Sequence, residues 1–306
     1  FILLVAYSDL ALIVPLDGSP PRKLAIGSDE TGLSGGAVSP SGRKVAVAFR
    51  AGARDDAQRT LRVWNSETGD LQSFDLPPSS YPDPDWEQGV FDLAFADDST
   101  IYTSGDGGVL RWNLDTGTHE LVLETKPGAH LSWAAFGPGA RTALVMELRE
   151  GDEYVGPSRL LDLVNDQMRG LSAFATCTLR SPSLWPRNAF DATETIAAVG
   201  DRQGSIRVAR LPDGEPHLLV GHEGPVDYVA ISPDGRWVAS SGEDETLRLW
   251  PIPDLDKPPL HTFPHDELIA KLKSLTNLRA VRDPESSTGW SIEVGPFPGW
   301  KEVPEW

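Results

Sequence analysis

The chain has 306 residues, 40% hydrophobic and 24% charged, enough for one large all-β domain or two ordinary ones with a real core. Lys+Arg 27 against Asp+Glu 45 gives a net charge of −18, a surface that repels phosphate backbones and argues against nucleic acid as a partner. The single cysteine, Cys177, cannot build a disulfide framework or a Cys-rich zinc site, and it fits a reducing, cytoplasmic compartment.

The chain opens on Phe1 rather than Met, which reads as a fragment or a processed form. FILLVAYS and LALIVPLD are apolar but short, and Asp9 interrupts them. A membrane helix needs about 20 apolar residues, so the spacing predicts two strands and no membrane contact. RKLAIGS reads as a further strand. Residues 36–48, GAVSPSGRKVAVA, predict strand–turn–strand, and after an insertion at 49–58 RTLRVWNSETGDLQSF continues the pattern. Residues 89–118 repeat that order. HLSWAAFGPGARTALVMEL with RLLDLVND is a degraded copy ending near Asp166, and 188–214 is another. The last copy, GHEGPVDYVAISPDGRWVASSGEDETLRLW at 221–250, is the clearest.

The landmarks SETG, LDTG, VND and PDG at 66–69, 114–117, 164–166 and 212–214 recur about every 48 residues, a period that signals a repeat array. Short strands at this spacing, with no long helix between them, predict an all-β array or propeller. Third strands end near Leu16, Trp64, Trp112, Leu163, Ala209 and Trp250, so six repeats are readable, and strands from upstream or from the tail would make seven. The tail, 265–306, departs from the repeat. Leu268, Ile269, Leu272 and Leu275 in DELIAKLKSLTNL predict a short helix with one apolar face. LRAV and GWSIEVG predict two strands.

Gly221-His222, Ser232-Pro233-Asp234-Gly235, Ser240, Asp244 and Trp250 resemble the WD40 repeat family. The resemblance covers residues 1–264. It implies a β-propeller with four-stranded blades around a central channel, closed when one terminus lends a strand to the other's blade, with 265–306 packing on or closing the ring. Pro-Phe-Pro-Gly-Trp in the tail resembles the endings of bacterial WD40 domains fused to serine/threonine kinases or signalling NTPases.

His222, Ser240 and Asp244 are also the three side chains of a hydrolase triad. The resemblance implies instead that they form a structural hydrogen-bond tetrad with Trp250. Side-chain chemistry agrees: an indole is a donor only, a hydroxyl accepts and donates, and a carboxylate accepts. Ser240 sits in an apolar strand pattern with no nucleophile elbow. Gly32-Leu33-Ser34-Gly35-Gly36 matches G-x-S-x-G, but AVSPSGRKVAVA after it predicts strand–turn–strand, so it reads as a glycine-rich loop between blades. His261 and His265 flank Pro264, and Asp83, Asp85 and Glu87 are too few for a calcium loop. No phosphate-cradling, metalloprotease or EF-hand motif occurs, so no cofactor and no metal is expected.

The insertions carry the functional expectation. Residues 49–58 and 148–158 lengthen loops between second and third strands, and 77–89 and 176–188 lengthen loops between fourth and first strands. In a WD40-type propeller both loop classes emerge on one face. Arg54, Tyr81, Trp86, Tyr154, Trp185 and Arg187 lie in them, and aromatics and Arg are the usual interface anchors. The expected function is a non-catalytic interaction or sensor propeller of a larger bacterial signalling protein. Its partner is a protein or peptide, other domains of the parent chain included. The alternative is a metal-dependent propeller hydrolase or lactonase with a site in the central channel. A third is a propeller that only spaces or assembles other domains.

Overall fold

The computed structural model describes residues 2–6, 10–15, 17–24, 33–49, 60–77, 90–105, 108–124, 131–148, 154–174, 178–179, 188–275, 278–284, 286 and 289–294. Six antiparallel sheets follow one another along the chain. Blade I has strands Ile2–Ala6, Leu10–Val14 and Arg22–Lys23. Blade II has Leu33–Val38, Lys44–Phe49, Thr60–Asn65 and Leu71–Asp75. Blade III has Val90–Phe95, Thr100–Gly105, Gly108–Asn113 and Thr118–Glu124. Blade IV has Leu131–Phe136, Thr142–Leu148, Tyr154–Asp162 and Gln167–Gly170, with Thr178–Leu179 added beside the third strand. Blade V has Asn188–Phe190, Ile196–Gly200, Ser205–Arg210 and His217–Val220. Blade VI has Val226–Ile231, Trp237–Gly242 and Leu247–Pro251. A helix, His265–Leu275, and a hairpin, Leu278–Arg282 with Trp290–Val294, follow.

The core lies between the blades, and the two-residue strand period explains why. In KVAVAF of blade II, Val45 and Val47 pack with Ala11, Ile13 and Leu24 of blade I. Ala46 and Ala48, one residue out of phase, pack with Val90, Leu93, Phe95 and Ile101 of blade III. Ala197 and Val199 of blade V face blade IV, whereas Ala198 between them faces blade VI. A strand buried on both faces reads as a continuous apolar run, which is what these second strands are. Among the described residues five such clusters join the six blades in chain order. Each fully buried Leu or Val, such as Leu61 or Val208, contributes about 1.5–3 kcal/mol of transfer free energy.

Side chains also staple neighbouring blades. Glu194, in the turn before Ile196–Gly200, is buried. It accepts the amides of Gly139 at 2.7 Å, Arg141 at 3.1 Å and Thr142 at 2.8 Å, and the Thr142 hydroxyl at 2.8 Å. All four donors lie in the turn of blade IV. An uncompensated buried carboxylate is costly, so this cluster of donors is what permits it. Ser41 of blade II donates to Asp98 of blade III at 2.8 Å.

Ile2–Ala6 lies against Leu33–Val38, as Thr100–Gly105 lies against Leu131–Phe136 and Ile196–Gly200 against Val226–Ile231. It therefore occupies a second-strand position, as the sequence predicts. Leu33–Val38 corrects the expected glycine-rich loop: Leu33-Ser34-Gly35-Gly36 runs inside a strand, with a register shift between Leu33 and Gly35. A bulge accommodates the extra residue that the loop reading assigned to irregular chain. The first strands of blades III, IV and VI shift register at the corresponding place. Strand Tyr154–Asp162 likewise takes in residues that the sequence assigned to the 148–158 insertion.

Gly204, at φ 82°, turns the chain of blade V beneath the loop that carries His222. A Cβ there would lie 2.4 Å from the His222 carbonyl and 2.9 Å from that of Gly224. Left-handed φ and backbone contact together leave a side chain no room. Gly204→Ala is expected to destabilise the protein by about 2 kcal/mol or more, read as a lowered midpoint in urea unfolding. An unchanged midpoint would show that the loop yields freely.

Candidate functional site

His222, Ser240, Asp244 and Trp250 come together in blade VI. Trp250, on the third strand, donates its Nε1–H to Ser240 Oγ at 2.8 Å. Ser240, on the second strand, lies 2.8 Å from His222 Nε2, and His222 Nδ1 lies 2.9 Å from Asp244 Oδ1. With Nδ1 protonated, one donor path runs from indole to hydroxyl to imidazole to carboxylate. Blade III holds a shorter version, in which Trp112 Nε1 donates to Thr103 Oγ1 at 3.0 Å.

The order Ser–His–Asp is that of a hydrolase triad, and burial decides how it acts. Ser240 is 2% exposed, and its oxygen already accepts the indole proton. A nucleophile needs an open approach and an oxyanion site. One lone pair of Ser240 Oγ accepts the indole and its surface is covered, so the geometry ties two strands and a loop together.

Asp244 gathers more partners than the sequence suggests. Thr246 Oγ1 donates to it at 2.9 Å, the Glu223 amide at 3.2 Å and Arg248 Nη2 at 3.3 Å. Burial works against its charge. The bonds from His222, Thr246 and the Glu223 amide outweigh that and hold its carboxyl well below the usual carboxylate range. Its contribution to stability is therefore present above the unfolded carboxylate pKa and lost only in strong acid. Arg248 also lies over the Trp250 ring, 6.0 Å from its centroid. The short run from Asp244 to Arg248 holds the signal for these contacts, a carboxylate followed by Thr and then Arg at alternate strand positions. His222→Ala is expected to cost about 1–3 kcal/mol by leaving buried partners unsatisfied, measured by denaturant unfolding at neutral pH. A cost near zero would mean that the network adds no stability.

A second partly buried carboxylate was not singled out from the sequence. Asp92, on the first strand of blade III, accepts the Phe136 amide of blade IV at 2.8 Å and the Leu93 amide at 2.9 Å. Burial pushes its carboxyl up to about 7, and the two amides oppose that rise. Its only sequence signal is one acid interrupting the apolar run VFDLAF. A pKa above the unfolded value means that the folded state holds this proton longer. The stabilisation is full below the unfolded carboxylate pKa and fades as pH rises through about 7. Asp92→Asn stays neutral throughout, so its melting temperature relative to wild type is expected to rise from pH 5 to pH 8. Thermal melts across that range check this, and a difference that does not move with pH would remove the titration.

The rim residues stand differently. Tyr154 opens the strand Tyr154–Asp162. Arg54, Tyr81, Trp86, Trp185 and Arg187 lie outside the described residues, as do Asp83, Asp85 and Glu87. Two of the four insertions meet: Tyr154 pairs with Leu179 and Val155 with Thr178. A two-residue strand leaves no periodicity to read, so this pairing had no sequence signal. Among the described residues no group of three or more His, Cys, Asp or Glu converges to hold a metal ion. No helix among them is long and apolar enough to cross a membrane.

Residues 215–251 match the family described as WD domain, G-beta repeat. The chain is 25% identical over 169 residues to WD repeat-containing protein SL1-17 of Schistosoma mansoni, covering 54% of this chain and 52% of that protein. It is 27% identical over 212 residues to WD repeat-containing protein 55 of Mus musculus, covering 67% and 48%. It is 27% identical over 154 residues to eukaryotic translation initiation factor 3 subunit I of Vanderwaltozyma polyspora, covering 47% and 42%. The chain spans about half the length of these relatives. The matched residues run from the last strand of blade V through blade VI and its tetrad, and with the serial antiparallel sheets, several of them four-stranded, the fold is a WD40-type β-propeller.

Proposed function

We propose that this propeller is a non-catalytic scaffold that holds a partner protein or peptide on its loop-rich face. The pairing of Tyr154–Val155 with Thr178–Leu179 is the observation that carries this reading. It joins a loop between second and third strands to a loop between fourth and first strands. The two insertions are thereby joined at these residues, and rigid presentation is what recognition needs. The aromatics and arginines in the insertions supply the anchors: Tyr81, Trp86, Tyr154 and Trp185 with Arg54 and Arg187. The similarity to an initiation-factor subunit and to WD-repeat proteins supports a role in assembly. The net charge of −18 favours a basic or neutral partner. The Pro-Phe-Pro-Gly-Trp ending supports a cytoplasmic bacterial signalling protein as the setting, although the relatives reported above are eukaryotic.

The test uses peptides selected from a random library on the purified protein. Trp86→Ala with Trp185→Ala is expected to weaken the best binder about tenfold or more, while Arg43→Ala, in a turn between first and second strands, leaves it unchanged. Equal binding by all variants would remove the rim from the function. A stoichiometric divalent ion bound to the purified protein, with hydrolysis that depends on it, would replace this reading with the channel hydrolase.

A further inference from the structure

Blades V and VI depart from the repeat at one register position, and a cavity lies where they do. In blades II, III and IV the second strand begins at Lys44, Thr100 and Thr142, paired across to Asn65, Asn113 and Asp162 on the third strand. Each of those third-strand side chains caps the turn that follows it. Asn65 Oδ1 accepts the Glu67 amide at 2.8 Å, Asn113 Oδ1 the Asp115 amide at 3.0 Å and Asp162 Oδ1 the Val164 amide at 2.9 Å. An Asn or Asp bonded to its own backbone two residues on fixes a tight turn. In blade V the same pair is Ile196 with Arg210, and in blade VI it is Trp237 with Pro251. Neither Arg nor Pro has a side-chain acceptor, so neither can make this cap.

Blade VI replaces the turn with a strap. Pro251, Pro253, Pro258 and Pro259 lack the N–H that a fourth strand would donate. The Ile252 amide donates to the Arg236 carbonyl at 2.9 Å, Arg210 Nε lies 3.4 Å from Asp256, and His217 Nε2 meets the Lys257 carbonyl at 3.0 Å. These contacts lay the strap across blades V and VI. Between them is an open cavity of about 360 Å³, and all four residues of the two altered pairs line it, with Arg236 and Leu255. Small-molecule sites have this size and this mixture of an apolar lining with a few polar groups. Trp237 is 44% exposed and puts an indole where blades II to IV hold Lys or Thr. The Arg236 guanidinium makes no hydrogen bond or ion pair among the described residues. The neighbouring carboxylates are already matched: Asp234 accepts the Ser232 hydroxyl at 2.5 Å, and Asp254 accepts the Asp256 amide at 3.1 Å and lies 3.2 Å from Lys257 Nζ. In a chain with 45 acids and 27 bases, a guanidinium without a carboxylate is the cavity's unmet charge.

We propose that this cavity binds a small aromatic carboxylate, its ring against the Trp237 indole and its carboxylate on the Arg236 guanidinium. A planar guanidinium takes a carboxylate through two parallel hydrogen bonds, and an indole takes an aromatic ring in offset stacking. Arg210, held only by an exposed contact to Asp256, adds a second positive charge at the wall. The cavity is at the end of the blades where first and second strands turn, away from the insertions, so the proposal does not depend on what the rim binds.

Equilibrium dialysis of 2-naphthoate and of indole-3-acetate against the full chain tests it. One equivalent of either acid is expected to bind. Arg236→Ala and Trp237→Ala are each expected to weaken binding at least about tenfold, and Arg236→Lys, which keeps the charge but loses the fork, falls between. Arg43→Ala, at the same turn position of blade II but beside Lys44, leaves binding unchanged. The uncharged naphthalene-2-carboxamide binds at least about tenfold more weakly than 2-naphthoate. Arg236 and Trp237 are exposed, so neither substitution empties a core. Failure of both acids to bind at about 1 mM, binding that Arg236→Ala leaves unchanged, or equal binding of the carboxamide would overturn the proposal. So would an equal loss on Arg43→Ala, since binding would then follow overall charge and not the cavity.

Discussion

Burial of one blade against the next is the constraint on which this structure depends. A second strand such as Lys44–Phe49 serves two cores at once, because alternate residues face opposite neighbours. Its side chains therefore have to be small or β-branched on both faces. A slip of one residue would exchange the two sets and spoil both interfaces. The bulges shared by the first strands, and the turns at Gly204 and Glu194, keep each blade in the register its neighbours require. Because the core clusters join each blade to the next, the serial stack accommodates long insertions between strands.

Legibility followed this arrangement. Strands with an alternating apolar pattern and a terminal Trp were readable at Trp64, Trp112 and Trp250. Blade IV was harder because Leu161, paired with Ala143, occupies the register position that Trp112 fills opposite Ile101. A leucine has no indole to mark the strand end. Three features were not readable. Leu33–Gly36 looked like a loop because two adjacent glycines outweigh one bulge. Thr178–Leu179 is too short to show a period. Glu194 acts on residues 52 to 55 positions earlier, and nothing local distinguishes it from a solvated turn residue. The tetrad was legible because its four residues sit within one repeat and at fixed offsets. The rim was legible only as insertions, since its contacts depend on loops from different repeats.

The tetrad illustrates how burial sets the meaning of a constellation. The same three side chains would be reactive on an open turn. Enclosed by Trp250 and anchored by Asp244, they distribute hydrogen bonds between strands. Such a network is worth most when complete, because each missing member leaves the others desolvated. Blade III manages with Trp112 and Thr103 alone. Blade V has Val199 and Ala209 at the equivalent register positions, so it has no polar group to satisfy there. At this position the indole is either paired with a hydroxyl, as in blade III, or absent, as in blade V.

Blade IV departs furthest from the repeat among the described blades. Its third strand has no Trp at that position, yet among the described residues it is the longest strand, at 9 residues, and blade IV alone carries an added strand. What it loses in signature it recovers through Glu194, whose four hydrogen bonds fix its turn to blade V. That staple lies at the turns between first and second strands of blades IV and V, whereas the Tyr154–Leu179 pairing extends the opposite end of the blade IV strands. One end of the blade is held by charge and hydrogen bonds. The other carries the added pairing of Tyr154–Val155 with Thr178–Leu179. The hydrogen-bonded staple and the added pairing therefore lie at opposite ends of the strand axis.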